Sequence, residues 1–194
     1  FLQAGLPDLQ IELNLKKIPD IIEAFDVSNF SGKEATGSLV VFKNGRPLKS
    51  SYRHFIIKNV RGIDDIGMLA EIIERRYKRI LNENRETPDL ILVDGGKGQL
   101  SKTKEIISKL GIKIDIIALA KKHNDVFFYS IVKKQEGIFI PDENKPICLP
   151  KDSTGLHILQ YIRDEAHRFA IKHHRILRGK NIKESVLDKI QGIG

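Results

Sequence analysis

At 194 residues with 41% hydrophobic content, the chain is long enough for one full domain with a sizeable core and the start of a second. Its single cysteine, Cys148, excludes an intrachain disulfide and any zinc site built on a cysteine cluster, and fits a reducing cytoplasm. No apolar run reaches membrane-spanning length. Residues 1–9 lack the basic start and apolar stretch of a signal peptide. Lys and Arg outnumber Asp and Glu by 33 to 25, a net charge of +8, which favours a polyanionic partner because each neutralised phosphate releases a counterion. The chain has no initiator Met and stops inside Gly192-Ile193-Gly194, so a fragment of a longer protein is expected.

In chain order, the stretch to Lys17 reads as a weak helix or a lead-in. Residues 21–27 are apolar apart from Glu23 and Asp26 and predict a buried strand. Residues 36–43 (TGSLVVFK) predict a second. Asn44-Gly45 follows, a pair that tolerates the positive φ angles of a tight hairpin turn, and residues 51–58 are expected to return antiparallel. Asp64-Asp65 then opens a helical pattern, with Ile66, Leu69, Ile73, Tyr77 and Ile80 near helical spacing and charged residues between them. The acidic pair suits a helix N-terminus and its dipole. Residues 89–93 form a short continuous apolar run, the signature of a strand covered on both faces. A helix over 99–110 with Gly111 as its stop, a strand over 114–120, and a β-hairpin joining 126–132 to 138–140 come next. Pro146 and Pro150 precede a long final helix over about 154–177, with Leu156, Leu159, Ile162, Ala166, Phe169 and Ala170 as its apolar stripe. Beyond Lys180 the composition turns polar. Strand, strand, strand, helix, strand, helix, strand implies an α/β fold. Its mixed sheet of five strands would carry helices on both faces, with the first strand parallel to and beside the fourth.

That order brings two carboxylates together. Asp26 ends the first strand and Asp94 ends the fourth, and the carboxyl ends of adjoining parallel strands form the crevice where ligands bind. Paired carboxylates repel and lose solvation, which a hard divalent cation, Mg²⁺ or Mn²⁺, relieves. Either Asp alone reads equally well as a turn former or helix cap; the pairing is what favours a site. Gly95-Gly96-Lys97-Gly98 lets the backbone approach a ligand and offers Lys97 to a phosphate, but it lacks Walker A spacing and is also an ordinary strand-to-helix turn. Asp65 is either a further carboxylate of the site or a helix N-terminal charge. His167 sits at the edge of the final helix's buried stripe, where it could ligate a metal or exchange a proton near neutral pH, or simply be a satisfied boundary residue. Arg163, Arg168, Lys172 and Arg175 on that helix, and Arg53 and Arg61 around the third strand, are candidate phosphate contacts or plain solvated charges. His157, His173 and His174 read as surface residues or phosphate contacts.

The strings EAFDVS, GIDD before a helix, PDLILVDGGKGQL and LPKDSTGLHILQYIRDEAHRFAIKHHR, in that order, resemble the UvrC family over nearly the whole chain, from about Leu6 to Gly194. The resemblance implies an RNase H-like endonuclease domain over residues 1–180, with 1–17 as lead-in. Residues 181–194 would be a linker and the truncated start of a helix-hairpin-helix DNA-binding module. It implies metal-dependent incision of damaged double-stranded DNA 5′ to a lesion in nucleotide excision repair, with UvrB as partner and UvrA upstream. The family's catalytic aspartates fall on Asp26 and Asp94, its catalytic histidine on His167, and a further aspartate on Asp65. Asn29 stands where the family often has histidine, which leaves Asp26 untouched. Two rival expectations remain at this stage. One is another RNase H-like nuclease of the ribonuclease H or endonuclease V type, whose sites are mostly carboxylates and would not need His167. The other is a non-catalytic DNA- or protein-docking module, which would gain nothing from clustered anions facing a phosphate backbone.

Overall fold

The computed structural model describes residues 3–28, 35–60, 62–120 and 136–187. Helix α1 (Leu6–Leu13) begins with a proline in its first turn and ends at Asn14, which takes φ 50° to close the last carbonyls. Its Leu6, Leu9 and Leu13 recur at helical spacing and are all buried. The short helix expected as a lead-in is therefore part of the folded core.

Strand β1 (Ile21–Ser28) pairs antiparallel with β2 (Thr36–Lys43) along its full length. The turn after β2 takes φ 50° at Asn44 and 71° at Gly45, the conformation that twists a hairpin correctly. The expected third strand is split into β3 (Arg46–Pro47) and β4 (Arg53–Ile56), both antiparallel to β2, with a single 3₁₀ turn over Lys49–Ser51 between them. Helix α2 (Asp65–Asn82) starts where the Asp64 side chain accepts from the Gly67 N–H. Strand β5 (Leu90–Asp94) lies parallel to β1, and β6 (Asp115–Ala120) lies parallel to β5. Between them runs α3 (Lys97–Lys109), stopped by Gly111 at φ 70°. Strand β7 (Gly137–Phe139) is antiparallel to β6 and extends the same sheet. The first arm of the expected hairpin, 126–132, lies outside the described residues, as do Asn29 and Arg61. Helix α4 (Thr154–Leu187) runs ten residues past the expected end, straight through Gly179-Lys180.

The sheet order is β3-β2-β1-β5-β6-β7, with β4 beside β3 on the outer edge of β2. Strand alternation divides the core in two. Ile22, Ala24, Val40, Phe42, Leu90, Leu92, Ile117 and Leu119 pack against α1 and α4. Phe25, Leu39, Val41, Ile91, Val93, Ile116 and Ala118 pack against α2 and α3. This is the mixed sheet with helices on both faces that the element order implied, but with seven strands in place of the expected five, because the third strand is split and β7 joins the edge of β6. In α2 the buried stripe is Met68, Leu69, Ile72, Ile73, Tyr77 and Ile80. Ile66, expected within it, is 40% exposed and its Cδ1 lies against Gly98 at the start of α3. Among the described residues no helix is long and apolar enough to cross a membrane.

Helix α2 lies so close to β2 that a Cβ on Gly37 would come within 2.7 Å of Ile72 Cδ1. Gly37→Val should destabilise the chain by about 1–3 kcal/mol, the usual cost of overpacking, read as a lower urea midpoint. An unchanged midpoint would mean that β2 and α2 are not this tightly apposed.

Candidate active site

Phe25 of β1 and Val93 of β5 are in-register neighbours, so the next residues on the two strands, Asp26 and Asp94, end up side by side. Parallel neighbours are about 4.8 Å apart. Alternation puts both carboxylates on the α4 face, continuing the rows Ile22–Ala24–Asp26 and Leu90–Leu92–Asp94. Asp26 is only 6% exposed, and Asp94 is half-buried. His167 on α4 stands over them, its Nδ1 3.6 Å from Asp26 Oδ2, with half of its side chain open to solvent. That separation exceeds an ordinary hydrogen bond.

The turn after Asp94 is shaped by Gly95, at φ 154°, where a Cβ would press within 2.7 Å of the Gln99 side chain. Gln99 Oε1 in turn accepts from the Gly96 N–H. Helix α3 therefore starts directly at the carboxylates, with the positive end of its dipole towards them and the exposed Lys97 in its first turn.

Two polar clamps hold α4 in register over the sheet. On the β7 side, buried Arg163 is ion-paired with Glu136 and with Asp164. On the β4 side, the Tyr52 hydroxyl donates to buried Glu165 at 3.1 Å, and Arg168 donates to both Glu165 oxygens at 2.7 and 2.8 Å. Burial, then the Glu165 charge, pushes the Tyr52 phenol well up from its usual value, so it stays a donor throughout the physiological range. Beneath α4, Ser153 donates to Glu12 and Thr154 to Asp8, fastening its first turn to α1.

The other expected residues separate into groups. Asp65 is exposed in the first turn of α2. It lies at the same sheet edge as α3, where Ile66 meets Gly98, on a helix packed against the sheet face opposite α4. Arg163 is a correction: it is 8% exposed and committed to two carboxylates, so it braces α4 and does not face solvent as a phosphate contact would. Arg53 is exposed, but its guanidinium donates to the Ser50 and Tyr52 carbonyls. Arg168 is exposed while paired to Glu165, and Arg175 is exposed on the outer face of α4. His157 bonds to the Lys151 carbonyl. Tyr52 and Glu165 were missed by sequence reasoning. Glu165 did carry a signal: it shares a helical face with the apolar stripe, where a carboxylate needs a partner.

Two vicinal oxygen ligands suit a hard divalent cation such as Mg²⁺, which is usually held by one or two carboxylates together with substrate oxygens and water. Among the described residues no group of three or more His, Cys, Asp or Glu that could hold a metal ion is assembled.

The approach to the site is shaped from the other face by Glu71 of α2, which accepts from the Lys58 and Asn59 N–H groups at 2.9 Å each and pins the segment leading to Asp64-Asp65. Burial alone would push the Glu71 carboxyl up; the two backbone N–H groups and Arg75 outweigh it and hold it below its usual value. Its contribution to stability is therefore complete above the ordinary carboxylate range and disappears as pH falls through the lowered value. Glu71→Ala should cost about 1–3 kcal/mol at neutral pH by stranding those donors. The variant should also lose less stability than the unsubstituted chain between neutral pH and about pH 3, by urea titration at each pH. Equal acid sensitivity in both chains would remove Glu71 from this role.

A family model described as the UvrC RNase H endonuclease domain matches residues 10–171. The chain is 46% identical to the UvrABC system protein C of Methanosarcina mazei over 90% of its own length. It is 45% identical to that of Dictyoglomus thermophilum over 98%. It spans 31% and 30% of those two relatives, about a third of their length. Among solved structures it resembles a Ciona intestinalis endonuclease V, crystallised with an inosine-containing DNA, at a TM-score of 0.52 and 14% identity. The match covers 90% of this chain and 96% of that one, a likeness of fold.

Proposed function

Because the chain belongs to the family of UvrC RNase H endonuclease domains, we propose that it is the DNA-cutting domain of a nucleotide excision repair nuclease, hydrolysing a phosphodiester 5′ to a lesion. The observation that carries this reading is the in-register adjacency of Asp26 and Asp94 beneath His167. A docking surface for an anionic backbone would be weakened by two carboxylates at its centre; a hydrolytic site needs them.

Asp26 and Asp94 would hold Mg²⁺ or Mn²⁺, with His167 as third ligand or close neighbour. A bound cation of this kind polarises the phosphoryl oxygen and lowers the pKa of water. Asp26, almost fully buried, orients without reorganising. Asp94, at the mouth of the α3 turn, faces the incoming strand. His167, half open to solvent, is placed to take up or release a proton at the reacting phosphate. Arg175 draws in the backbone; Lys97, Arg168 and Arg53 do so by giving up their contacts to the Asn144 carbonyl, to Glu165 and to the Ser50 and Tyr52 carbonyls. Asp65, in the first turn of α2, would tune the site or help hold a second ion. Residues 1–180 would form the nuclease, with 181–194 leading towards a helix-hairpin-helix module. Its partners would be damaged duplex DNA and UvrB, in the cytoplasm.

Asp26→Ala and Asp94→Ala should each lower Mn²⁺-dependent nicking of lesion-bearing DNA by about a thousandfold or more, with circular dichroism and thermal midpoint retained. EDTA should abolish nicking by the unsubstituted chain. If either variant cuts at the unsubstituted rate, the assignment of the pair is wrong.

A further inference from the structure

Strand β5 ends at Asp94 and helix α3 begins at Lys97, so Gly95 and Gly96 alone carry the chain from sheet to helix. Whatever fixes their peptides also fixes the direction in which the Asp94 side chain leaves the strand. The first peptide is tied to the sheet, where the Gly95 N–H donates to the Leu119 carbonyl of β6 at 3.2 Å. The second is tied to a side chain, since the Gly96 N–H donates to Gln99 Oε1 at 3.1 Å. Gly96 is the N-cap of α3 and has an extended conformation. Ser, Thr, Asp or Asn would ordinarily hold the first turn from that position with its own side chain. A Cβ on Gly96 would meet nothing within 4 Å, so crowding does not impose the glycine. With glycine there, the Gln99 half of a capping box acts without its reciprocal partner.

The Gln99 side chain lies across Gly95. A Cβ on Gly95 would come within 2.7 Å of Gln99 Cδ and 3.0 Å of its Nε2, so the φ of 154° at Gly95 and the seat of the amide belong together. A backbone N–H can only donate, so the amide atom facing Gly96 is the oxygen. One turn further on, the hydroxyl of fully buried Thr103 donates to the Gln99 carbonyl at 2.8 Å and fixes its backbone. The choice of amide over acid is informative. Glutamate is the other usual residue at this position of a capping box, and the helix dipole would favour its charge. Here it would add a third negative charge close along the chain to Asp94, to a pair of carboxylates that already repel. Glutamine supplies the accepting oxygen without the charge.

We propose that Gln99 is a positioning residue for the cation site: by holding the Gly95–Gly96 turn it sets the direction in which Asp94 presents its oxygens. Its effect reaches the cation through the backbone. The proposal rests on the nuclease reading for the identity of that site, and adds to it the side chain that aims one of its two carboxylates.

The test reads Mn²⁺ binding to the 194-residue chain without DNA, from the loss of the free-ion electron paramagnetic resonance signal. Gln99→Ala should weaken binding about tenfold while the thermal midpoint of the metal-free chain is retained. Gln99→Met, which fills the space over Gly95 but offers no oxygen, should weaken it equally. Gln99→Glu, which keeps the accepting oxygen, should bind at least as tightly as the unsubstituted chain. Asp94→Ala serves as the reference for a lost site. Unchanged affinity in Gln99→Ala or Gln99→Met, beside an Asp94→Ala variant that has lost it, overturns the positioning role and leaves the cation site standing. A Gln99→Glu variant as weak as Gln99→Ala overturns it too, because the accepting oxygen is then irrelevant. If Asp94→Ala itself binds Mn²⁺ like the unsubstituted chain, the nuclease reading fails at its metal and this inference fails with it.

Discussion

Parallel pairing of β1 with β5 is the constraint on which the site depends. With Phe25 level with Val93, the chain has no choice but to set one aspartate beside another where the apolar rows run out. Shifting either strand by one residue would send its aspartate to the opposite face, among the side chains of α2 and α3. The apolar residues above and below oppose such a slip, because it would turn two well-packed rows inside out. Core packing on both faces thus enforces an electrostatically unfavourable neighbour, and the site inherits its precision from the core.

Helix α4 turns this pair into a pocket. Its apolar stripe would tolerate small slides over the sheet; the polar clamps at Arg163 and Glu165 do not. Each pairs a buried charge with a strand or loop on one flank of the helix, and together they bracket His167. Buried ion pairs of this kind contribute little net stability against an apolar alternative, since desolvation opposes the attraction. What they add here is position: rupture of either clamp takes a partner from a buried charge, Glu136 from Arg163 or Tyr52 from Glu165, which favours one register of the helix.

The opposite face repeats the device for a different purpose. Glu23, the charged residue inside β1, is met by Arg76 at 2.5 Å and by the Tyr77 hydroxyl at 3.0 Å. Burial and the Glu23 charge keep the Tyr77 phenol protonated far above its ordinary range. Together with Glu71, these contacts anchor α2 under the sheet and fix the edge at which α3 begins. The two faces therefore divide the work: one anchors, the other presents chemistry.

Much of this was determined by sequence alone. Alternation and helical spacing are local properties, so the strands, the helices, the Asn44-Gly45 turn and the parallel adjacency of the first and fourth strands could be read directly. The motifs around Asp26, Asp94 and His167 carried the family likeness with them. Tertiary structure alone decided which charges face solvent and which are consumed inside. Nothing in IRDEAHRF says that Arg163 turns inward to Glu136 and Glu165 to Tyr52, since their partners are 27 and 113 residues away. The stacking of His54 between Phe169 and His173 likewise depends on strand register and helix docking. Those are set by the packing of the whole core, which no short stretch of sequence contains.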